Sequence, residues 1–249
     1  MRIPVINFVK TAARKMGVNI MRTDRIGVDM ELDLARLTAF SPLRTIFDVG
    51  GNTGQTALRL ASAFPTARIF SFEPVPQTFD KLSQAVKHRE GIAAVNSALG
   101  EKPGSVFINL TDNSQTATIL ATSSASNSVS IPVETIDRFA KTNGIETIDL
   151  LKIDVEGYEM QVLKGAEKLF HEASVRYVFA ECVLKVDAVS PHTTFFELDK
   201  YLNEHGFCFF NYYAESFRLR DGCALGNVLY ALHSKLPRVV AESKVANLI

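Results

Sequence analysis

Net charge is the first thing this 249-residue chain lacks, since Lys and Arg number 27 and so do Asp and Glu. Without a global field, nothing in the composition recruits nucleic acid or anionic lipid, and no nucleic-acid partner is expected. Cysteine is scarce as well. Cys182, Cys208 and Cys223 form an odd set without metal-ligand spacing, and two of them lie in apolar runs. A disulfide framework is therefore not expected, and a reducing, cytoplasmic setting is. No apolar run reaches membrane-spanning length, and the opening residues hold no secretory h-region or small-residue cleavage site. Internal repeats and a second core are missing too.

What is present is the ordinary material of a sizeable core, with 47% hydrophobic and 22% charged residues. That length and balance suit one α/β domain with some decoration. Residues 1–44 read as a helical extension or cap. Arg2, Lys10, Arg14 and Lys15 stand beside Val5, Phe8, Val9 and Met16, but Pro4 interrupts the start and the apolar stripe is short. Packing on its own domain, or on a second copy in a homo-oligomer, suits it better than a membrane surface. From 45 to 233, strand-like and helix-like segments alternate, as in a mainly parallel sheet covered on both faces. Two closing strands without a helix between them, 207–213 and 227–232, suggest an antiparallel hairpin. Residues 104–133 interrupt the rhythm with a strand pair around a Ser-, Thr- and Asn-rich loop at 111–128, where Ser114, Gln115 and Thr116 could donate to an acceptor. Loops of that length are commonly lids or binding segments. Residues 234–249 form a tail.

The first two strands carry the first chemical signal. Thr45 to Gly50 reads as a buried strand entering Asp48-Val49-Gly50-Gly51-Asn52-Thr53-Gly54, and Ile69 to Phe72 ends at Glu73 and Pro74. Ligands of open parallel sheets bind beyond the carboxyl ends of the strands. Gly50, Gly51 and Gly54 remove side chains that would obstruct such an approach, and Glu73 is placed to accept from two ribose hydroxyls. A pyrophosphate binder would show Gly-x-Gly-x-x-Gly, a register this turn misses. The leading Asp48 suits a ligand with a positive amino group and repels a pyrophosphate. S-adenosylmethionine, with its ammonium and sulfonium, is the expected cofactor, contacted by Asp48, Gly50, Gly51, Asn52, Gly54, Glu73 and Pro74. Ser97 and Ala98, after the third strand, would border the adenine.

These blocks, together with Leu151-Lys152-Ile153-Asp154-Val155-Glu156-Gly157-Tyr158-Glu159 and Val162-Leu163-Lys164-Gly165-Ala166, resemble the signature blocks of the FkbM-type methyltransferases. The likeness runs from about 45 to 232. It implies a Rossmann-like class I methyltransferase fold with a seven-stranded sheet. It also implies O-methylation of a sugar, glycan or natural-product hydroxyl, with a small-molecule or glycan acceptor. A nicotinamide-dependent oxidoreductase and a catalytically silent binding module are the competing classes. The fourth main strand ends Asp-Val-Glu-Gly and not in a Pro-Pro-aromatic motif, which disfavours methylation of a flipped base.

A hydroxyl is a poor nucleophile near neutral pH, so a base or a metal is sought at the strand ends. Asp154 ends the fourth main strand, and three roles are open to it: proton acceptor, cofactor-orienting group, or partner of Glu156 and Glu181 in a divalent metal site. Glu156 could instead pair structurally with Lys152 or Lys164. Glu181, at the next strand end, faces the same rim, and His192 could act as a base on the following loop. Asp149 reads as a surface residue. Tyr212 and Tyr213 could stack on a sugar or belong to the core.

Overall fold

The computed structural model describes residues 13, 15, 26–109, 118–120, 128–184, 192–218 and 223–236. Most of the N-terminal extension, the greater part of the polar loop with Ser114, Gln115 and Thr116, and the tail beyond 236 lie outside these residues.

Alternating strands and helices build the frame. Helix α1 (Met30–Leu37) precedes β1 (Thr45–Val49), α2 (Gln55–Ala63), β2 (Arg68–Phe72), α3 (Pro76–Val86) and β3 (Ile92–Val95). After the insertion come α4 (Ile136–Thr142), β8 (Ile148–Ile153), α5 (Glu159–Lys164), α6 (Glu167–His171), β9 (Val175–Leu184), α7 (Phe195–Glu204), β10 (Phe207–Arg218) and β11 (Cys223–Leu232). Local chemistry sets the boundaries. Asp29 caps α1, Pro76 opens α3 in its first turn, and Thr194 with Glu197 forms a capping box on α7.

Seven strands form one sheet in the order β10-β11-β9-β8-β1-β2-β3. The five from β9 to β3 run parallel, and β11 inserts antiparallel between β9 and β10. This is the expected parallel sheet with its closing hairpin. The central strands are buried on both faces, so alternate side chains feed two cores. Phe47, Phe70, Leu151 and Val178 pack with α4 to α7 on one face. Ile46, Ile69, Leu150 and Tyr177 pack with α1 and α2 on the other. Tyr213 belongs to that second core, where its hydroxyl donates to buried Asp33 at 2.8 Å and so tethers α1. It offers no stacking surface to a ligand.

The insertion is more organised than a strand pair. β5 (Gly104–Asn109) and β7 (Ser128–Glu134) pair antiparallel, and β4 (Ala98–Leu99) and β6 (Thr118–Leu120) extend them into a separate four-stranded sheet. Ile108, Ile131 and Val133 give it a small core of its own. The helical run after β8 is also broken in two. Gly165 sits between α5 and α6 because a Cβ there would lie 2.2 Å from the Gly100 carbonyl, so only glycine lets the segments touch.

Asp149 departs from its expected surface position. It is buried at the amino end of β8, where it accepts from the amides of Arg44 (2.7 Å) and Thr45 (3.0 Å) and from the Arg176 guanidinium (2.6 Å). Its carboxylate fastens the start of β1 to β8 and β9. Asp149→Ala strips the partner from a largely buried guanidinium, and the loss should be on the order of 3 kcal/mol. Urea unfolding should show a lower midpoint at unchanged m-value.

Candidate active site

The carboxyl ends of β1, β2 and β8 converge on a cavity of about 480 Å³. Of the residues expected at a cofactor, Gly50, Gly51, Asn52, Glu73, Pro74, Ser97, Ala98 and Asp154 line it. Ile108 and Ile131 of the inserted sheet complete an apolar wall.

The glycine turn works differently from the expectation of open amides. Gly50 and Gly51 both donate to the Phe72 carbonyl, at 3.1 and 2.8 Å, and Gly54 donates to Gly51. These N–H groups bind the turn to β2. The glycines are required by packing. A Cβ on Gly50 (φ +81°) would lie 1.8 Å from the Asp154 carbonyl, and one on Gly51 would lie 2.1 Å from Ser71 Oγ. Asn52 supplies the left-handed step that follows them at φ 46°, a conformation asparagine tolerates. Gly54 packs against Leu82 at the start of α2 and does not line the cavity. With the Gly50, Gly51, Asn52 and Gly54 amides already spent, the turn has little to offer a pyrophosphate.

Glu73 holds the turn from the other side. Oε2 accepts from the Asn52 amide at 3.0 Å and Oε1 from the Val75 amide at 2.9 Å. Each oxygen keeps a further lone pair, and the residue lines the cavity. Burial raises its pKa, against the lowering effect of those two amides and of Lys152. Asn96, unremarked in the sequence, donates to the carbonyls of Glu73 (2.9 Å) and Pro74 (3.2 Å) and pins the strand end.

Asp48 is fully buried and does not line the cavity. It accepts from Ser71 Oγ at 2.8 Å and pairs with Lys152 Nζ at 3.1 Å. The expected direct contact with a ligand ammonium is replaced by an internal ion pair. Lys152, weighed in the sequence only as a pairing partner of Glu156, proves to be the hub. Its ammonium also donates to the Gly50 carbonyl at 3.1 Å and pairs with Asp154 at 3.5 Å. Burial lowers its pKa, but Asp48 and Asp154 outweigh burial, so the net shift is upward and the lysine stays charged. The signal lay in a lysine following Leu150 and Leu151 in a wholly buried strand, which the parallel register sets opposite Asp48. With Lys152 committed to these partners, the structural pairing of Glu156 with Lys152 does not form.

Beyond Asp154 the chain turns sharply through Glu156 (φ 55°) and Gly157 (φ 101°). Glu159, buried at the start of α5, holds that turn by accepting from the amides of Val155 and Gly157, each at 3.1 Å. Its second oxygen accepts from Thr193 Oγ1 at 2.5 Å. Val183 of β9 donates to the Thr193 carbonyl at 3.0 Å, which closes the loop against the end of β9. The clasp brings Glu156, Glu181 and His192 together, with one ligand-capable atom from each within 4.8 Å of the others. Glu156 and Glu181 were expected to meet Asp154 there. Asp154 turns to Lys152, and His192 takes its place. Burial and nearby Asp154 raise the Glu156 pKa, and His192 opposes them.

Removing Lys152 should expose how much rests on it. Lys152→Met leaves Asp48 charged in a dry site and should cost about 3–5 kcal/mol by urea unfolding. Adding Asp48→Asn should restore part of the loss, because no buried charge is then left unpaired.

A family model described as "Methyltransferase FkbM domain" matches residues 48–209. "Methyltransferase sdnD" of Sordaria araneosa is 30% identical over 170 residues, covering 55% of this chain and 65% of that protein. "Hexuronic acid methyltransferase AglP" of Haloferax volcanii is 28% identical over 152 residues, 57% of each chain. "2-O-methyltransferase NoeI" of Sinorhizobium fredii is 22% identical over 156 residues, covering 56% of this chain and 63% of that one. The chain thus spans less than two thirds of the length of these relatives. A solved magnesium protoporphyrin IX methyltransferase from Synechocystis shares 12% identity at a TM-score of 0.47, over 80% of this chain and 75% of that one. The strand order is the one expected of a class I methyltransferase fold, whose expected cofactor here is S-adenosylmethionine. The cavity fits it, because the lining carboxylates Glu73, Asp154, Glu156 and Glu181 suit a cationic ligand. From the glycine turn to β10, this chain belongs to the FkbM methyltransferase family.

Proposed function

We propose that the protein is an S-adenosylmethionine-dependent O-methyltransferase acting on a hydroxyl of a sugar, glycan or natural-product acceptor. The carrying observation is the division of the strand ends into two sides. Glu73 and the glycine turn form one, and the Glu156, Glu181 and His192 group forms the other, with Asp154 between. The relatives that act on a hexuronic acid or at a 2-O position support the acceptor class.

When bound, S-adenosylmethionine supplies a methyl on a cationic sulfur for in-line transfer, a reaction governed by alignment. Glu73 has the free lone pairs to accept from the ribose hydroxyls, and Ser97 and Ala98 border the adenine. Ser97 Oγ itself donates to the Ala98 and Pro132 carbonyls, at 2.8 and 3.2 Å. Asp154, tethered to Lys152, is a cofactor-orienting carboxylate in this reading. The acceptor oxygen sits on the side of Glu156, Glu181 and His192, where its proton must leave. The nicotinamide alternative loses support from the turn, where the amides of Gly50, Gly51, Asn52 and Gly54 are consumed internally.

Direct methyl transfer onto hydroxylated sugars and metabolites, read as a mass shift mapped to one oxygen, tests the proposal. Transfer only to nitrogen or carbon would overturn it. Glu73→Ala should weaken S-adenosylmethionine binding on the order of 10- to 100-fold, the worth of lost charge-assisted hydrogen bonds. In the parent protein, acid protonates Glu73 and removes both its charge and an acceptor lone pair. Affinity should therefore fall as pH drops, and the fall should begin above the ordinary glutamate range because burial raises this pKa. Glu73→Gln should flatten that profile in calorimetry. Asp154→Asn should lower cofactor affinity and turnover together. A loss confined to turnover would make Asp154 the proton acceptor.

A further inference from the structure

We infer that Glu156, Glu181 and His192 form a divalent-cation site that holds the acceptor hydroxyl, an inference that rests on the O-methyltransferase reading. Two observations carry it independently. The first is the donor set. Two carboxylates and an imidazole from three separate segments place their ligand atoms within 4.8 Å of one another. Bonds of roughly 2.0–2.2 Å put neighbouring donors of one ion about 3 Å apart, so rotation of the exposed Glu156 side chain closes the set. The second is charge. Among the described residues lining the cavity, Glu73, Asp154, Glu156 and Glu181 face the single cation Lys152, which is already committed to Asp48 and Asp154. The cofactor's sulfonium and ammonium outweigh its own carboxylate only modestly, and Glu73 and Asp154 lie on that side. Carboxylates gathered at one rim call for a cation of their own.

Glu159 gives the set its order. This buried carboxylate fixes the turn that presents Glu156 and the threonine that follows His192, so two of the three donors are positioned by one side chain. The mixed donors select the ion class. Imidazole favours Mn²⁺, Fe²⁺ or Zn²⁺ over Ca²⁺, which prefers six or more oxygens. Three protein ligands leave positions for a hydroxyl or for two neighbouring hydroxyls of a sugar. A coordinated hydroxyl releases its proton to solvent more readily. Its oxygen then forms the new bond to the methyl carbon as the carbon–sulfur bond breaks, with that electron pair returning to sulfur.

The test uses the full chain, stripped of metal and titrated with Mn²⁺ alone, with free ion followed by electron paramagnetic resonance. One ion should bind per chain. His192→Ala and Glu181→Gln should each weaken uptake at least tenfold while thermal unfolding stays cooperative. Glu159→Gln should weaken it less, since it only positions the donors. No uptake by a folded protein, or uptake indifferent to both variants, overturns the site. Methyl transfer at an undiminished rate in chelator overturns its role with the acceptor but leaves O-methylation standing. Binding of Mn²⁺ with the variant pattern above supports the site. If no hydroxylated acceptor is then methylated, the O-methyltransferase reading fails by itself.

Discussion

The buried Lys152–Asp48 pair is the interaction on which the site depends. An ammonium with 5% side-chain exposure is stable in such a place only when its protons are taken up. Asp48, Asp154 and the Gly50 carbonyl take them up, and in doing so they join three consecutive features of the sheet. The end of β1, the glycine turn and the end of β8 are locked into one relative position. The side of the cavity beside Glu73 and the glycine turn is shaped by this lock before any ligand arrives, the kind of preorganisation that alignment chemistry needs.

A second buried carboxylate repeats the logic beside Glu156, Glu181 and His192. Glu159 satisfies two amides of a turn that contains a left-handed glutamate, and it reaches across to Thr193. Backbone strain of this sort persists where surrounding contacts over-determine it. The two clasps sit on either side of Asp154. A rigid parallel sheet brings their strand ends to one rim, and the inserted sheet supplies the apolar wall through Ile108 and Ile131. At the opposite end of the same strand, Asp149 performs the corresponding task for the amino ends of β1, β8 and β9.

Much of this was legible in residue order. The alternation of buried runs and helical stripes located every strand of the main sheet, because strands buried on both faces read as continuous apolar segments. The spacing of Gly50, Gly51 and Gly54 located the turn. What was misread concerned charged residues within those segments. Lys152 was weighed as a partner for Glu156 and Asp149 passed for a surface residue, since a one-dimensional pattern does not say which strand lies alongside. The expected Asp154 partnership with Glu156 and Glu181 failed for the same reason, because Lys152 claims Asp154 from within the sheet.

The sequence by itself determined the fold class, the family and the position of the cofactor turn, because these follow from local periodicity and from short motifs contiguous along the chain. Tertiary structure alone decided which carboxylates are internal struts and which face the cavity. It also decided that the turn's amides are spent, and that His192 joins residues 36 and 11 positions before it. Register and loop closure create those contacts, and neither is written in the spacing of any single segment.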